Sequence, residues 1–212
     1  MPPTPADTSV TEVDADDGPL VVFLGDSLTA GYGLDAEQAF PHLVEAQFEA
    51  EGQPLRAVNA GVSGDTTAGG LRRLEWVLRQ DPDVLVVALG GNDGLRGLPV
   101  ASTEDNLRRI VQQGRDAGAR VLLAGMRIPP NYGEDYALEF ETVFPRLAAE
   151  LDVDLLPFLL EGVGGVAELN QADGIHPTAE GQALIAELVT SSLRPLVESV
   201  STTPAAAARS PG

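Results

Sequence analysis

The chain holds two histidines, His42 and His176, and neither cysteine nor lysine. A neutral-pH proton acceptor built on imidazole therefore has two candidates, and a covalent nucleophile must be a hydroxyl. His42 lies in the helical stretch EQAFPHLVEAQ, where no carboxylate or Gly-rich loop marks it, and reads as an ordinary surface or half-buried residue. His176 stands three residues after Asp173, with Gly174 between them. One turn can then carry the carboxylate to imidazole Nδ1, fix the tautomer, stabilise an imidazolium and leave Nε2 free to take a proton. The same string also fits a loop before a helix in which Asp173 satisfies backbone amides and His176 has no chemical role.

Ser27 is the hydroxyl placed to serve such a base. It follows the apolar run LVVFL at a sharp Gly25-Asp26-Ser27 turn, and a helix beginning there would leave free N–H groups suited to a developing anion. A plain N-cap serine has the same local pattern. Asp26 is expected to hold the turn by accepting local backbone N–H groups. Acyl transfer also needs donors aimed at a tetrahedral oxyanion, and three loops offer them: the N–H of Ser27, the N–H of Gly64 and the side-chain amide of Asn92. Glycine at 64 would let the backbone approach a substrate, and an amide at 92 donates without adding charge. Each of these residues taken singly also fits an ordinary turn.

Elements that could bring these loops together are legible as alternating patterns. Residues 20–24, 55–58, 84–89 and 121–123 read as strands buried on both faces, with 153–156 a fifth. Between them, 134–151 keeps Ala137, Phe140, Val143, Phe144, Leu147, Ala148 and Leu151 on one helical face. Residues 178–197 do the same with Leu184, Ile185, Leu188, Val189, Leu193 and Leu196. Weaker helical periods occupy 36–50, 66–79 and 102–117, with Ser102 and Thr178 as expected N-caps. This alternation predicts an α/β fold, a three-layer α/β/α sandwich around a central parallel sheet. Function in such sheets gathers at the carboxyl ends of the strands. Gly25–Leu28, Asn59–Thr66, Gly90–Gly94 and Asp173–Pro177 all fall there or just before the final helix.

Taken in order, GDSL, an isolated glycine in the second loop, GGND and DGIHP resemble the four blocks of SGNH (GDSL) hydrolases. The resemblance covers residues 20–197. Within that family the strings GDSLTAGYG, NAGVSGDT, LGGNDGLRG, PNYG and LLPFLLEGV are similar to those of the bacterial thioesterase I / lysophospholipase type, also called arylesterase. The resemblance implies Ser27 as nucleophile, His176 as base, Asp173 as its partner, and Gly64 and Asn92 as oxyanion donors beside the amide of Ser27. It also implies a flavodoxin-like fold, no metal or organic cofactor, and hydrolysis of acyl thioesters, aryl esters or lysophospholipids through an acyl-enzyme. Leu95 and Arg96 after the third strand, and Ile128, Pro129, Asn131 and Tyr132 after the fourth, are expected to wall the acyl groove. Their mixed apolar character suits a short to medium chain. An acetyl-carbohydrate (acetyl-xylan type) esterase on the same scaffold and a non-catalytic anion- or nucleotide-binding module are the alternatives. Against the latter, no G-x-G-x-x-G follows a strand, and the Asp-His pair would have no task.

Composition narrows the partners further. With 13 cationic side chains, all arginine, against 32 carboxylates, the net charge is −19, and −15 on residues 19–200 alone. A field this negative argues against nonspecific binding of nucleic acid or anionic membranes, while the small-molecule ester or thioester partner is what the resemblance implies. No apolar run is long enough to span a bilayer, and nothing in the sequence sets an oligomeric state, a monomer being compatible with all of it. The expected organisation is an acidic tail over 1–18, a hydrolase domain over 19–200 and a small-residue, Pro-containing tail over 201–212. Residues 1–18 have neither the basic nor the apolar region of a signal peptide. The chain as written is thus expected in the cytoplasm, or in the periplasm or medium if a leader has been removed.

Overall fold

A computed structural model describes residues 18–202; the expected tails fall almost wholly outside the described residues. Five parallel strands form one sheet in the order β2-β1-β3-β4-β5. They are β1 (Leu20–Gly25), β2 (Arg56–Gly61), β3 (Val84–Ala88), β4 (Arg120–Ala124) and β5 (Asp154–Leu156). This is the flavodoxin-like order, whose reversal point lies between β1 and β3. Every residue of β1 and β3 is buried, as their unbroken aliphatic runs require of strands covered on both faces. β2 departs from that expectation. It is an edge strand with Arg56 and Asn59 exposed, because no further strand shields its outer side.

Helices cover the sheet in two layers. α2 (Phe40–Ala50) packs on α7 (Ala179–Ser201), while α3 (Thr67–Leu78), α5 (Val100–Asp116) and α6 (Glu134–Leu151) pack in a row. Two very short helices, α1 (Ser27–Ala30) and α4 (Gly91–Leu95), follow β1 and β3 directly. The apolar stripe of α6 is buried from Phe140 to Leu151, with Ala137 half-buried. On α7 the stripe holds except at Leu184, which is exposed. Thr178 caps α7 by accepting the Gly181 N–H at 3.2 Å. Ser102 does not cap α5: that helix starts two residues earlier, behind Pro99, and takes Ser102 into its first turn. The stretch 36–50 is also not one helix. Pro41 lacks an N–H and would break a helix begun at 36, so a 3₁₀ turn (Ala36–Gln38) precedes a fresh start at Phe40.

Three polar side chains tie together the strand ends and the helices that follow them. Arg73 of α3 donates to the carbonyls of Ala60 at 2.7 Å and Gly25 at 2.8 Å while pairing with Asp65 at 2.7 Å, which joins the carboxyl ends of β1 and β2. Asp93, a buried residue of α4, accepts the Thr67 N–H at 2.9 Å and the Thr67 hydroxyl at 2.6 Å. Gln182 of α7 accepts the Phe40 N–H at 2.9 Å and donates to the Leu28 carbonyl at 3.0 Å, which ties α7 to α2 and α1. Buried polar groups paired this way restrict the loops to one arrangement, since an unmatched partner would carry a desolvation cost of roughly 1–3 kcal/mol.

Candidate active site

The loop before α7 meets the turn after β1. Asp173 Oδ2 lies 2.7 Å from His176 Nδ1, and His176 Nε2 lies 2.9 Å from Ser27 Oγ. With Nδ1–H donated to the carboxylate, the Nε2 lone pair accepts the Ser27 hydroxyl proton. Asp173 also accepts the backbone N–H groups of Ile175 at 2.9 Å and His176 at 3.0 Å through Oδ1. It therefore does both things its spacing allowed. The imidazole bond first, and the two backbone bonds after it, hold its carboxyl well below the usual carboxylate range. The Tyr32 ring lies 4.5 Å from the His176 ring at 36°, and Gln171 fixes this junction by donating to the carbonyls of Tyr32 at 2.7 Å and Pro177 at 3.0 Å. His42 stands apart, exposed and 3.7 Å from Glu45.

On the other side of Ser27, Asp26 is 2% exposed. Its Oδ1 accepts the Leu28 N–H at 3.0 Å, the local backbone bond expected of it, which makes Asp26 rather than Ser27 the N-cap of α1, and its Oδ2 accepts from Asn92 Nδ2 at 3.2 Å. Burial pushes the Asp26 carboxyl up to about 6, against the opposing pull of those two bonds and of nearby His176. Gly64 has φ +79°, the left-handed region, and its carbonyl accepts from the Arg96 guanidinium at 2.8 Å. A Cβ at 64 would meet only that guanidinium, at 3.6 Å, so backbone conformation rather than crowding is what favours glycine.

Ser27, Asn92 and His176 open onto a groove of about 460 Å³. Of the residues proposed from sequence for the acyl groove, Leu95, Ile128 and Pro129 are among those lining it, and Arg96, Asn131 and Tyr132 are not. Phe158, Leu160 and Met126, which also line it, were not singled out residue by residue in the sequence, although the apolar run LLPFLL that ends β5 and continues past it carries the signal for the first two. Arg127 lies over the Phe158 ring at 4.8 Å and pairs with Glu141 at 2.8 Å.

A strand-end serine bonded to an Asp-supported histidine recurs on unrelated folds, so geometry alone leaves the lineage open. The sequence matches the GDSL-like lipase/acylhydrolase family across residues 23–184. The chain belongs to that family. Its membership makes it a carboxylic ester hydrolase on an SGNH scaffold. Esterase TesA of Pseudomonas aeruginosa is 46% identical over 178 residues, covering 84% of this chain and 89% of the relative. Thioesterase 1/protease 1/lysophospholipase L1 of Escherichia coli K12 is 44% identical over 178 residues, 84% of each chain. A crystal structure of TesA superposes with a TM-score of 0.81 at 46% identity, over 84% of this chain and 99% of that one.

Proposed function

We propose that this hydrolase acts on neutral carboxylic esters and thioesters of short to medium acyl chain by a serine acyl-enzyme mechanism. The observation that carries the reading is the unbroken Asp173–His176–Ser27 hydrogen-bond chain at the mouth of an apolar groove. Ser27 Oγ attacks the acyl carbon as its proton passes to His176 Nε2. Asp173 keeps the ring in the tautomer whose Nε2 is free and stabilises the imidazolium that forms. The carbonyl oxygen becomes an oxyanion, held by the N–H groups of Ser27 and Gly64 and by Asn92 Nδ2. Collapse of the intermediate breaks the bond to the leaving alcohol or thiol, which takes the proton back from His176. Water, deprotonated by the same imidazole, then attacks the acyl-serine and releases the acid.

The apolar walls Leu95, Ile128, Phe158 and Leu160 support an acyl chain longer than acetyl. The thioesterase and lysophospholipase names belong to the Escherichia coli relative; for this chain they mark the substrates to assay first. A fluorophosphonate should capture Ser27 covalently, with the adduct located by peptide mass spectrometry. A series of nitrophenyl esters from acetyl to decanoyl should peak above acetyl. Labelling at another residue would overturn the mechanism, and a strict acetyl preference would replace the substrate class with an acetyl-carbohydrate ester.

A further inference from the structure

Asp26 is more deeply buried and more constrained than its place beside the serine requires. An N-cap needs one acceptor oxygen, and serine or asparagine supplies it as well as aspartate does. Here Oδ1 alone does that work, on the Leu28 N–H. The second oxygen reaches across the sheet's reversal point, from the end of β1 to the end of β3, and takes a hydrogen from an amide 66 residues away. A buried anion near a site where a second negative charge develops is unfavourable electrostatically. A requirement for a cap does not account for it.

We propose that Asp26 is a positioning residue that selects the orientation of the Asn92 amide. A primary amide is nearly symmetric in shape but not in charge: one end donates twice and the other only accepts. A carboxylate oxygen only accepts, so it attracts the nitrogen end and repels the oxygen end. Facing Oδ2, Asn92 must present Nδ2, and one of its two N–H groups is spent there. The other is left to the groove that Asn92 lines beside Ser27. Without this partner the amide can turn its carbonyl oxygen toward the substrate, where it would repel the oxyanion instead of stabilising it. The inference rests on the reading of Asn92 as an oxyanion donor given above.

A double-mutant cycle tests it, with kcat and KM measured on a neutral nitrophenyl ester. Asp26→Ser retains a hydroxyl able to cap α1 but is too short to reach Asn92. It should lower kcat about tenfold or more with KM changed less than about twofold, as expected for misorientation of a group that acts in the transition state. Asn92→Ala should lower kcat about a hundredfold. The double variant should be no slower than Asn92→Ala within about threefold, because Asp26 then has nothing to orient. Asp26→Asn, which faces Asn92 with a second amide, serves as the alternative single variant if Asp26→Ser does not fold by circular dichroism, and should show the same loss of kcat. Losses that multiply in the double variant, or a loss confined to KM, would overturn the positioning role while leaving the mechanism standing. Full kcat in Asn92→Ala would overturn both.

Discussion

The two sides of the groove are built by different physics. On the chemical side Ser27, Asn92 and His176 are set by hydrogen bonds between groups far apart in sequence, among them Asp26 with Asn92 and Gln182 with Leu28. On the acyl side Ile128, Phe158 and Leu160 are held by apolar contact and by partly exposed ion pairs from Arg127 to Glu141 and Glu161. Hydrogen bonds have direction and fail abruptly when misaligned, whereas apolar walls tolerate changes of shape. The chemistry should therefore be brittle to substitution and the chain-length preference plastic.

The largest effects test the brittle side. Ser27→Ala should lose about 10⁴-fold or more in kcat with thermal unfolding little changed, and Asp173→Asn should lose a comparable amount in kcat. Retained turnover in either variant by a continuous ester assay would break the contrast at its root. Stability gives the next test. The folded-state carboxyl of Asp26, raised to about 6 from an ordinary 3.8, binds more protons than the unfolded chain between those values. Its contribution to the unfolding free energy must then fall as pH rises through that window, by up to about 3 kcal/mol. Denaturant unfolding at pH 4.5 and 7 should show this component in the wild type and its absence in Asp26→Asn. Equal pH dependence in the two would mean that the carboxyl is not strained by burial.

On the plastic side, Phe158→Ala should cut kcat/KM for an octanoyl ester about tenfold and for an acetyl ester much less, in line with roughly 0.8 kcal/mol per methylene buried. Equal losses on both esters would move Phe158 to the chemical side. The smallest effect concerns charge. A polyanionic acyl-CoA approaches a domain carrying −15, so its kcat/KM relative to a neutral ester should rise a few-fold as salt shortens the screening length to about 10 Å and below. A ratio independent of salt would show that the field does not reach the groove.

The same division explains what could be read in the sequence. Aliphatic runs announced β1, β3 and β4, and the Asp173–His176 spacing is local, so one turn determines it. The Asp26–Asn92 bond was not legible, because it joins residues 66 apart that become neighbours only once β1 and β3 pair. β2 looked like an inner strand because local pattern does not state which strand has a free edge. Ser102 looked like a cap for want of any signal that a helix could begin behind Pro99. Arg96 had the character of a groove residue, yet its guanidinium bonds the carbonyl of Gly64. Walls of the groove come mostly from loops with no periodicity, so only their general location, near the ends of β3, β4 and β5, could be anticipated.

The two side chains proposed to react, Ser27 and His176, are separated by 149 residues. Gln182, six residues past the histidine, bonds α7 to both α1 and α2. A ribosome must therefore make nearly the whole domain before the first turn meets its proposed base, and on that reading a partially folded form lacking a docked α7 should be catalytically silent. Ester hydrolysis is in this sense a report on completed folding: during refolding, activity should return together with the slow, long-range closure of the molecule and not with its early secondary structure.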